Sequence, residues 1–175
     1  MENSAAPLDA ETKVSERPGD HKDELRLWLR LLTCASLIET EVRRRLREEF
    51  GETLPRFDLM AQLHKARDGL TMSELSRRMM VSNGNLTGLA ERLAAAGRIE
   101  RRVPRKDRRK AIVALTRKGA AEFSRMARAH EGWIAAIFGG LSAREREMLM
   151  KALGKAKNSA RAASAGQTGR EGLIC

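Results

Sequence analysis

The sequence predicts a mostly α-helical fold with one small β-hairpin, and three features of the chain support this prediction. Apolar residues recur at helical spacing along most of its length. Two capping boxes, Thr71 with Glu74 and Ser142 with Glu145, place a hydroxyl and a carboxylate where each can satisfy a free amide at a helix start. Between residues 99 and 115 the apolar spacing changes to alternation, which is typical of two short strands.

The composition is that of one ordinary domain with a strongly basic balance. The chain has 175 residues, of which 42% are hydrophobic, so it can bury a single core. Its formal net charge of +11 favours a polyanionic partner, although charge alone does not choose between DNA, RNA and an anionic membrane. The chain has no run of about 18 apolar residues that could span a bilayer, and its N-terminus lacks the apolar segment of a secretory signal. We therefore expect a cytoplasmic protein.

The N-terminal part predicts a leader followed by two helices. Residues 1–19 contain few large apolar side chains and two prolines, which predicts a flexible leader. A helical pattern then runs over 20–50, with Trp28 on an apolar stripe that other apolar residues widen. We therefore expect this helix to pack against a partner chain as well as its own core. A second helix over 53–66 has Pro55 in its first turn.

Two short helices between residues 71 and 95, joined by a tight turn, predict a helix-turn-helix. Ser82 is the expected N-cap of the second helix, whose Leu86 and Leu93 lie on the face toward the core. Its other early positions are small or amide-bearing and uncharged, whereas a solvated helix face is usually charged. Asn bonds adenine through two edge atoms, so this face suits a DNA major groove. We predict base contacts by Asn83, Asn85 and Thr87 and phosphate contacts by Ser82 and Arg77 or Arg78, with Ser73 and Gly84 also at the interface.

The two predicted strands, 99–103 and 111–115, enclose a strongly cationic tip. Between residues 101 and 110 there are seven Lys and Arg residues and one acid, Asp107. Asp107 can pair with an arginine and fix the shape of the loop, which leaves Arg109 to enter a minor groove, where the negative potential favours arginine. The predicted DNA contacts of the tip are Arg105, Lys106, Asp107, Arg108 and Arg109.

After the hairpin the chain returns to helices. A helical pattern over about 117–138 ends at Gly139, and a last helix starts at Ser142 and runs towards about Ser159. The predicted order is a flexible leader at 1–19, a dimerisation helix at 20–50, a helix-turn-helix with its hairpin at 51–118, dimerisation helices at 119–160 and a flexible tail at 161–175.

The chain resembles the MarR family of bacterial winged-helix transcriptional regulators in three places. These are SNGNLTGLAERL in the second helix of the helix-turn-helix, the glycine before the first strand, and DRRKAIVALTRKG from Asp107 to Gly119. The resemblance covers roughly residues 22 to 160 and implies a six-helix winged helix-turn-helix protomer that dimerises and acts as a transcriptional regulator, with a repressor expected. Two-fold symmetry then calls for double-stranded DNA with a pseudo-palindromic operator, whose half-sites lie roughly 10 base pairs apart.

The resemblance also implies a small-molecule effector, bound between the dimer helices and the DNA-reading part. The segment LRLWLRLLTCASLIETEVRRRLREEFG is similar to members that respond to aromatic acyl-coenzyme A thioesters. Core packing is the competing interpretation for the apolar members of the expected pocket. The residues expected to bind the effector are Arg26, Trp28, Arg30, Leu32, Phe57, Met60, His64 and Trp133.

Three chemical roles are disfavoured by the residues. Some MarR-family members hold a peroxide-sensing cysteine with tyrosines, and this chain has no Tyr, so we expect Cys34 to be a core or interface residue. His21, His64 and His130 are too scattered for a metal motif. The chain also lacks an evident nucleophile-and-base pair or phosphate loop. We therefore expect no metal site, no cofactor and no catalysis.

Two rival functions stay open. A non-specific nucleic-acid-binding or chromatin-coating protein would use charge alone and show no sequence preference, because phosphate contacts contain no base information. A winged helix that binds only other proteins is the third interpretation, and the uncompensated basic hairpin argues against it.

Overall fold

The computed structural model describes residues 22–102 and 111–168, and these residues form six α-helices and one two-stranded antiparallel sheet. The predicted fold class is therefore confirmed. The predicted leader, the hairpin tip from 103 to 110 and residues 169–175 lie outside the described residues. The elements are α1 (Lys22–Phe50), α2 (Leu54–Lys65), α3 (Met72–Met79), α4 (Asn83–Ala95), β1 (Ile99–Arg102), β2 (Ile112–Leu115), α5 (Arg117–Ile137) and α6 (Ala143–Thr168).

The helix starts follow the predicted caps. The Thr71 hydroxyl accepts the Glu74 amide at 3.2 Å, and the Glu74 carboxylate accepts the Thr71 amide at 2.8 Å. The Thr71 amide and hydroxyl hold the pKa of the Glu74 carboxyl below its ordinary value, because both donate to its charged form. Ser142 and Glu145 form the same reciprocal pair before α6, at 3.3 and 2.7 Å. Each cap satisfies backbone amides that have no partner inside the helix.

The sheet is extended by one residue that periodicity does not reveal. Ile99 pairs with Leu115 in the antiparallel hairpin. On the other edge of β2, Leu70 forms an isolated bridge to Val113, with N–O distances of 2.9 and 2.7 Å. Gly69 makes this approach possible, because its φ is +86° and a Cβ there would lie 2.7 Å from the Val113 carbonyl oxygen.

Residue contacts divide the chain into two compact units, one ending at His130 and one starting at Glu131. The first unit holds the helix-turn-helix and its sheet, and its core combines residues of α1 to α4 with Ile99 and Val113 of the sheet and Phe123 and Met126 of α5. The second unit contains the end of α5 together with α6, and an apolar cavity of about 540 Å³ lies between their side chains. None of the described helices is long and apolar enough to cross a lipid bilayer. The apolar side chains most completely buried in the first unit are Leu46, Leu59, Met60, Leu63, Leu75, Leu86 and Leu93.

The exposed N-terminal part of α1 leaves the expected packing against a partner chain open, whereas the expected end of the last helix is corrected. The apolar stripe of α1 is buried in its C-terminal part, at Val42 and Leu46, whereas Trp28 is 57% exposed. Spacing predicts which residues share a face, but it does not say whether the same chain covers that face. The last helix continues to Thr168 and does not end near Ser159, because the residues after Ser159 include four alanines, an arginine and a glutamine, which are good helix formers.

Candidate nucleic-acid interface

The α3–α4 pair is a helix-turn-helix whose turn is held by its own backbone and by one serine. The Met80 amide, which follows the end of α3, donates to the Ser76 carbonyl. The Ser76 hydroxyl donates to the Val81 carbonyl at 2.6 Å. The side chains of Leu75 and Leu86 are fully buried and anchor the two helices in the same core. These bonds and contacts fix the direction in which α4 leaves the turn.

The exposed side of α4 begins at the helix start, as predicted. The Ser82 hydroxyl accepts the Asn85 amide at 3.5 Å, so Ser82 caps the helix. Gly84 and Asn85 are exposed and Thr87 is half-buried, while Leu86 is buried on the inner side. A Cβ added to Gly84 would meet nothing within 4 Å, so the surface in front of it is open.

Positive charge surrounds this exposed surface. Arg77 and Arg78 lie exposed in the last turn of α3, and Ser73 is exposed near its start. The first turn of α4 has no acidic residue. Its free amides add a partial positive charge that favours a phosphate at this end. The side chain of Asn83 lies outside what the structure describes.

The hairpin stem presents further cations. Arg101 and Arg102 are exposed on β1. Arg102 bonds the neighbouring Glu100 through its Nε at 2.7 Å, so part of its charge is compensated. The predicted contacts of the tip, Arg105, Lys106, Asp107, Arg108 and Arg109, lie outside the described residues.

A buried ion-pair cluster supports the base of the hairpin. Glu52 is 1% exposed, and its carboxylate accepts the Thr53 amide at 2.9 Å, the Arg56 guanidinium at 3.1 Å and the Arg98 guanidinium. Arg98 also pairs with Glu122 of α5 at 2.6 Å. The cluster therefore joins the α1–α2 connection, the start of β1 and α5. Sequence analysis did not identify it, because partners 46 residues apart produce no periodic signal.

A second junction ties the start of α5 to the connection between α4 and β1. The Thr116 amide donates to the Arg98 carbonyl at 3.0 Å, and the Thr116 hydroxyl donates to the Gly97 carbonyl at 2.7 Å. The Gly119 amide donates to the same hydroxyl at 3.0 Å. This contact explains the threonine and glycine of the LTRKG sequence in structural terms.

The residues expected to bind an effector differ in burial and belong to both compact units. Phe57 is buried and Met60 is fully buried in the core of the first unit, so both are packing residues in this protomer. Trp28 and Leu32 are exposed on α1. The His64 ring lies 4.9 Å from the Phe123 ring. Trp133 is buried and belongs to the second unit.

Arg26 and Arg30 do come together. With Asp23 and Leu27 they line a shallow open cavity of about 270 Å³ on α1, where Asp23 lies 3.9 Å from Arg26. Two guanidinium groups one helical turn apart form a surface that suits an anionic group. Within the described residues, no group of three or more His, Cys, Asp or Glu side chains could hold a metal ion. Cys34 is exposed in the protomer, so it is not a core cysteine as one interpretation expected.

Sequence comparisons agree with this architecture. The sequence profile of the MarR family matches residues 53–111. The chain is 33% identical over 100 residues to the HTH-type transcriptional repressor YetL of Bacillus subtilis, a match over 57% of this chain and 60% of that protein. It is 31% identical over 110 residues to the transcriptional activatory protein BadR of Rhodopseudomonas palustris, over 61% of this chain and 62% of that protein. The matches thus span about three fifths of the length of these relatives.

Structural comparisons extend the similarity over most of the chain. A MarR family transcriptional regulator from Silicibacter pomeroyi has a TM-score of 0.69 and 30% identity, with 82% of this chain and 99% of that chain covered. Sco3205 from Streptomyces coelicolor, a MarR family regulator solved in complex with DNA, has the same fold, with a TM-score of 0.69, 22% identity and coverage of 82% and 91%. With the helix-turn-helix and hairpin in place, these matches establish that the chain belongs to the MarR family.

Proposed function

We propose that the protein is a homodimeric transcriptional regulator that binds double-stranded DNA in a sequence-specific way. The observation that supports this most strongly is the start of α4, where Gly84 and Asn85 are exposed and uncharged beside a fully buried Leu86. The Asn amide matches the adenine edge in the major groove, and Gly allows close approach of the helix. A fold shared with Sco3205, which was solved with DNA, agrees with this proposal.

Phosphate contacts position the helix in this proposal. Arg77 and Arg78 flank the same end of α4, where Ser82 and the free amides can also meet a phosphate. The net charge of +11 adds a sequence-independent attraction that weakens as salt is raised. We propose that the hairpin tip, with Arg109 in the minor groove and Asp107 beside it, supplies further contacts.

A homodimer accounts for the exposed apolar residues of the two long helices. Leu25, Trp28 and Leu32 are exposed on α1, and Met148 and Leu153 are exposed on α6. Apolar surface of this kind on two helices is typical of a protein–protein interface. Two-fold pairing would present two copies of α4, which calls for a pseudo-palindrome with half-sites roughly 10 base pairs apart.

A selection of bound duplexes from a random DNA library at moderate salt tests this function. We expect a pseudo-palindrome with the stated spacing. The variant Asn85→Ala should lose base preference at one position in each half-site, at a cost of about 1 to 3 kcal/mol in binding to the selected site. Asn158→Ala removes an exposed amide from α6 and is the matched control, expected to bind like the parent. Enrichment of no sequence would favour the charge-driven coating protein instead.

We further propose that the protein is a repressor released by a small aromatic or acyl-coenzyme A effector. Occupying a promoter requires DNA affinity alone, whereas activation also requires productive contact with the transcription machinery. One of the two relatives described above is named a repressor and the other an activatory protein. Whether this protein lowers or raises transcription therefore needs a direct test. The anionic part of such an effector could bind at Arg26 and Arg30, with the exposed Trp28 beside them.

In vitro transcription from a promoter that overlaps the selected site tests both the repression and its release by the effector. Added protein should lower transcript yield, and benzoyl-coenzyme A, the simplest aromatic thioester of this class, should restore it. By linkage, DNA must weaken thioester binding by the same factor by which the thioester weakens DNA binding. Arg26→Ala with Arg30→Ala should weaken this response, while Arg47→Ala, an exposed arginine on the same helix, should not. Equal thioester affinity with and without DNA would contradict the effector, and a rise in transcript yield on adding protein would contradict the repressor.

A further inference from the structure

We infer that Met80, in the turn of the helix-turn-helix, contacts the DNA and recognises a thymine methyl group in the major groove. The inference rests on the proposed DNA-binding function and adds a specificity-determining residue to it. Three observations support it: the backbone conformation of Met80, the exposure of its side chain, and its position beside the start of α4.

The backbone at Met80 has a conformation that side chains disfavour. Its φ of 54° and ψ of 38° are left-handed. Among the described residues, every other position with positive φ is a glycine: Gly51, Gly69 and Gly97. A side chain raises the energy of this conformation because its Cβ crowds the backbone. Strained positions of this kind are found preferentially where function requires the side chain.

The Met80 side chain has no visible role in folding. It is 92% exposed, the largest exposure among the large apolar side chains described as exposed. The turn is instead held by Ser76, whose carbonyl accepts the Met80 amide and whose hydroxyl bonds the Val81 carbonyl at 2.6 Å. A glycine would satisfy the turn equally well, so folding does not explain the methionine.

The position of Met80 in the chain determines which groups of the DNA its side chain can contact. It stands two positions before Ser82, the cap of α4, and two after Arg78 at the end of α3. A helix start that enters the major groove brings the residues of the turn before it close to the same groove. The apolar group that distinguishes one base pair from another there is the C5 methyl of thymine. A flexible thioether side chain can adapt to its position.

Two variants separate recognition from folding. Met80→Gly should raise the urea midpoint of unfolding, because glycine relieves the backbone strain. Its affinity for the selected duplex should fall about fourfold, which corresponds to the free energy of burying one methyl group. Met80→Ala keeps the disfavoured conformation and should lose affinity without a gain in stability. A rise in stability with unchanged affinity would overturn the inference.

The base that is recognised can be identified directly. Library selection with the parent should enrich thymine at one position of each half-site, and selection with Met80→Gly should not enrich it. Replacing that thymine with deoxyuridine, which lacks the methyl, should weaken the parent about fourfold and leave Met80→Gly unchanged. Identical base preferences for the parent and for Met80→Gly would overturn the inference.

The same experiments distinguish this inference from the function on which it rests. If Asn85→Ala loses base preference while Met80→Gly binds like the parent, the DNA-binding function stands and the role of Met80 is wrong. If the parent enriches no sequence at all, both the specific regulator and the role of Met80 are wrong.

Discussion

Gly119→Ala is expected to lower the free energy of unfolding by about 3 kcal/mol, at the upper end for a substitution that overfills a packed site. A Cβ at Gly119 would lie 1.9 Å from the carbonyl oxygen of Arg98 and 2.8 Å from its carbonyl carbon. Both atoms belong to the backbone, so no rotamer change can move them away. The first turn of α5 or the connection between α4 and β1 must therefore shift.

Such a shift is opposed by the bonds that join the same two segments. Thr116 donates its amide to the Arg98 carbonyl at 3.0 Å and its hydroxyl to the Gly97 carbonyl at 2.7 Å. The Gly119 amide closes the junction on the Thr116 hydroxyl at 3.0 Å. Moving Gly119 away from Arg98 weakens all three bonds together, and partly buried groups that lose partners add to the loss of stability.

Urea unfolding of the full chain measures this effect, and Gly132→Ala is the matched control on the same helix. A Cβ at Gly132 meets nothing within 4 Å, so alanine there should raise stability by about 0.5 to 1 kcal/mol through helix propensity alone. The two substitutions should thus change stability in opposite directions. Equal unfolding midpoints for the two variants would show that the close approach at Gly119 is wrong.

Local patterns were sufficient to predict most of the fold. Thr71 with Glu74 and Ser142 with Glu145 form the predicted capping boxes, because each box depends on residues three positions apart. The hairpin follows from alternation, and its observed register pairs Ile99 with Leu115. The predicted face of α4 toward the core is also observed.

Features that depend on distant residues could not be predicted in this way. The bridge from Leu70 to Val113 and the pair of Glu52 with Arg98 join segments that only the folded chain brings together. The left-handed turn was likewise invisible, because glycine is the usual signal for positive φ and this position is Met80.

The exposure of the candidate site residues could be predicted for one set and not for the other, for the same reason. Exposure of Gly84 and Asn85 follows from the helical period of α4. In contrast, periodicity gives the same apolar signal for Met60, which is fully buried, and for Trp28, which is 57% exposed. An effector pocket assembled from both kinds of residue therefore could not be distinguished from core packing.

Glu52→Gln is expected to lower the free energy of unfolding by about 3 kcal/mol, the lower end for breaking a buried ion pair by removing one partner. The amide keeps the shape of the carboxylate but not its charge. Arg98, with a side chain 22% exposed, then loses its buried counter-ion and retains Glu122. Glu48→Gln removes an exposed carboxylate that pairs with Arg44 on α1 and should change stability by at most about 1 kcal/mol.

A double-mutant cycle tests whether the loss arises from the ion pair or from the shape of the site. Arg98→Met removes the guanidinium while keeping a long apolar stem, so Glu52→Gln leaves much less charge uncompensated in that background. The two losses should be non-additive by about 1 kcal/mol or more, because contacting residues in one ionic network are coupled. Urea unfolding of the parent, both single variants and the double variant gives the coupling energy. Additivity within about 0.5 kcal/mol would mean that Glu52 acts through Arg56 or the Thr53 amide and not through Arg98.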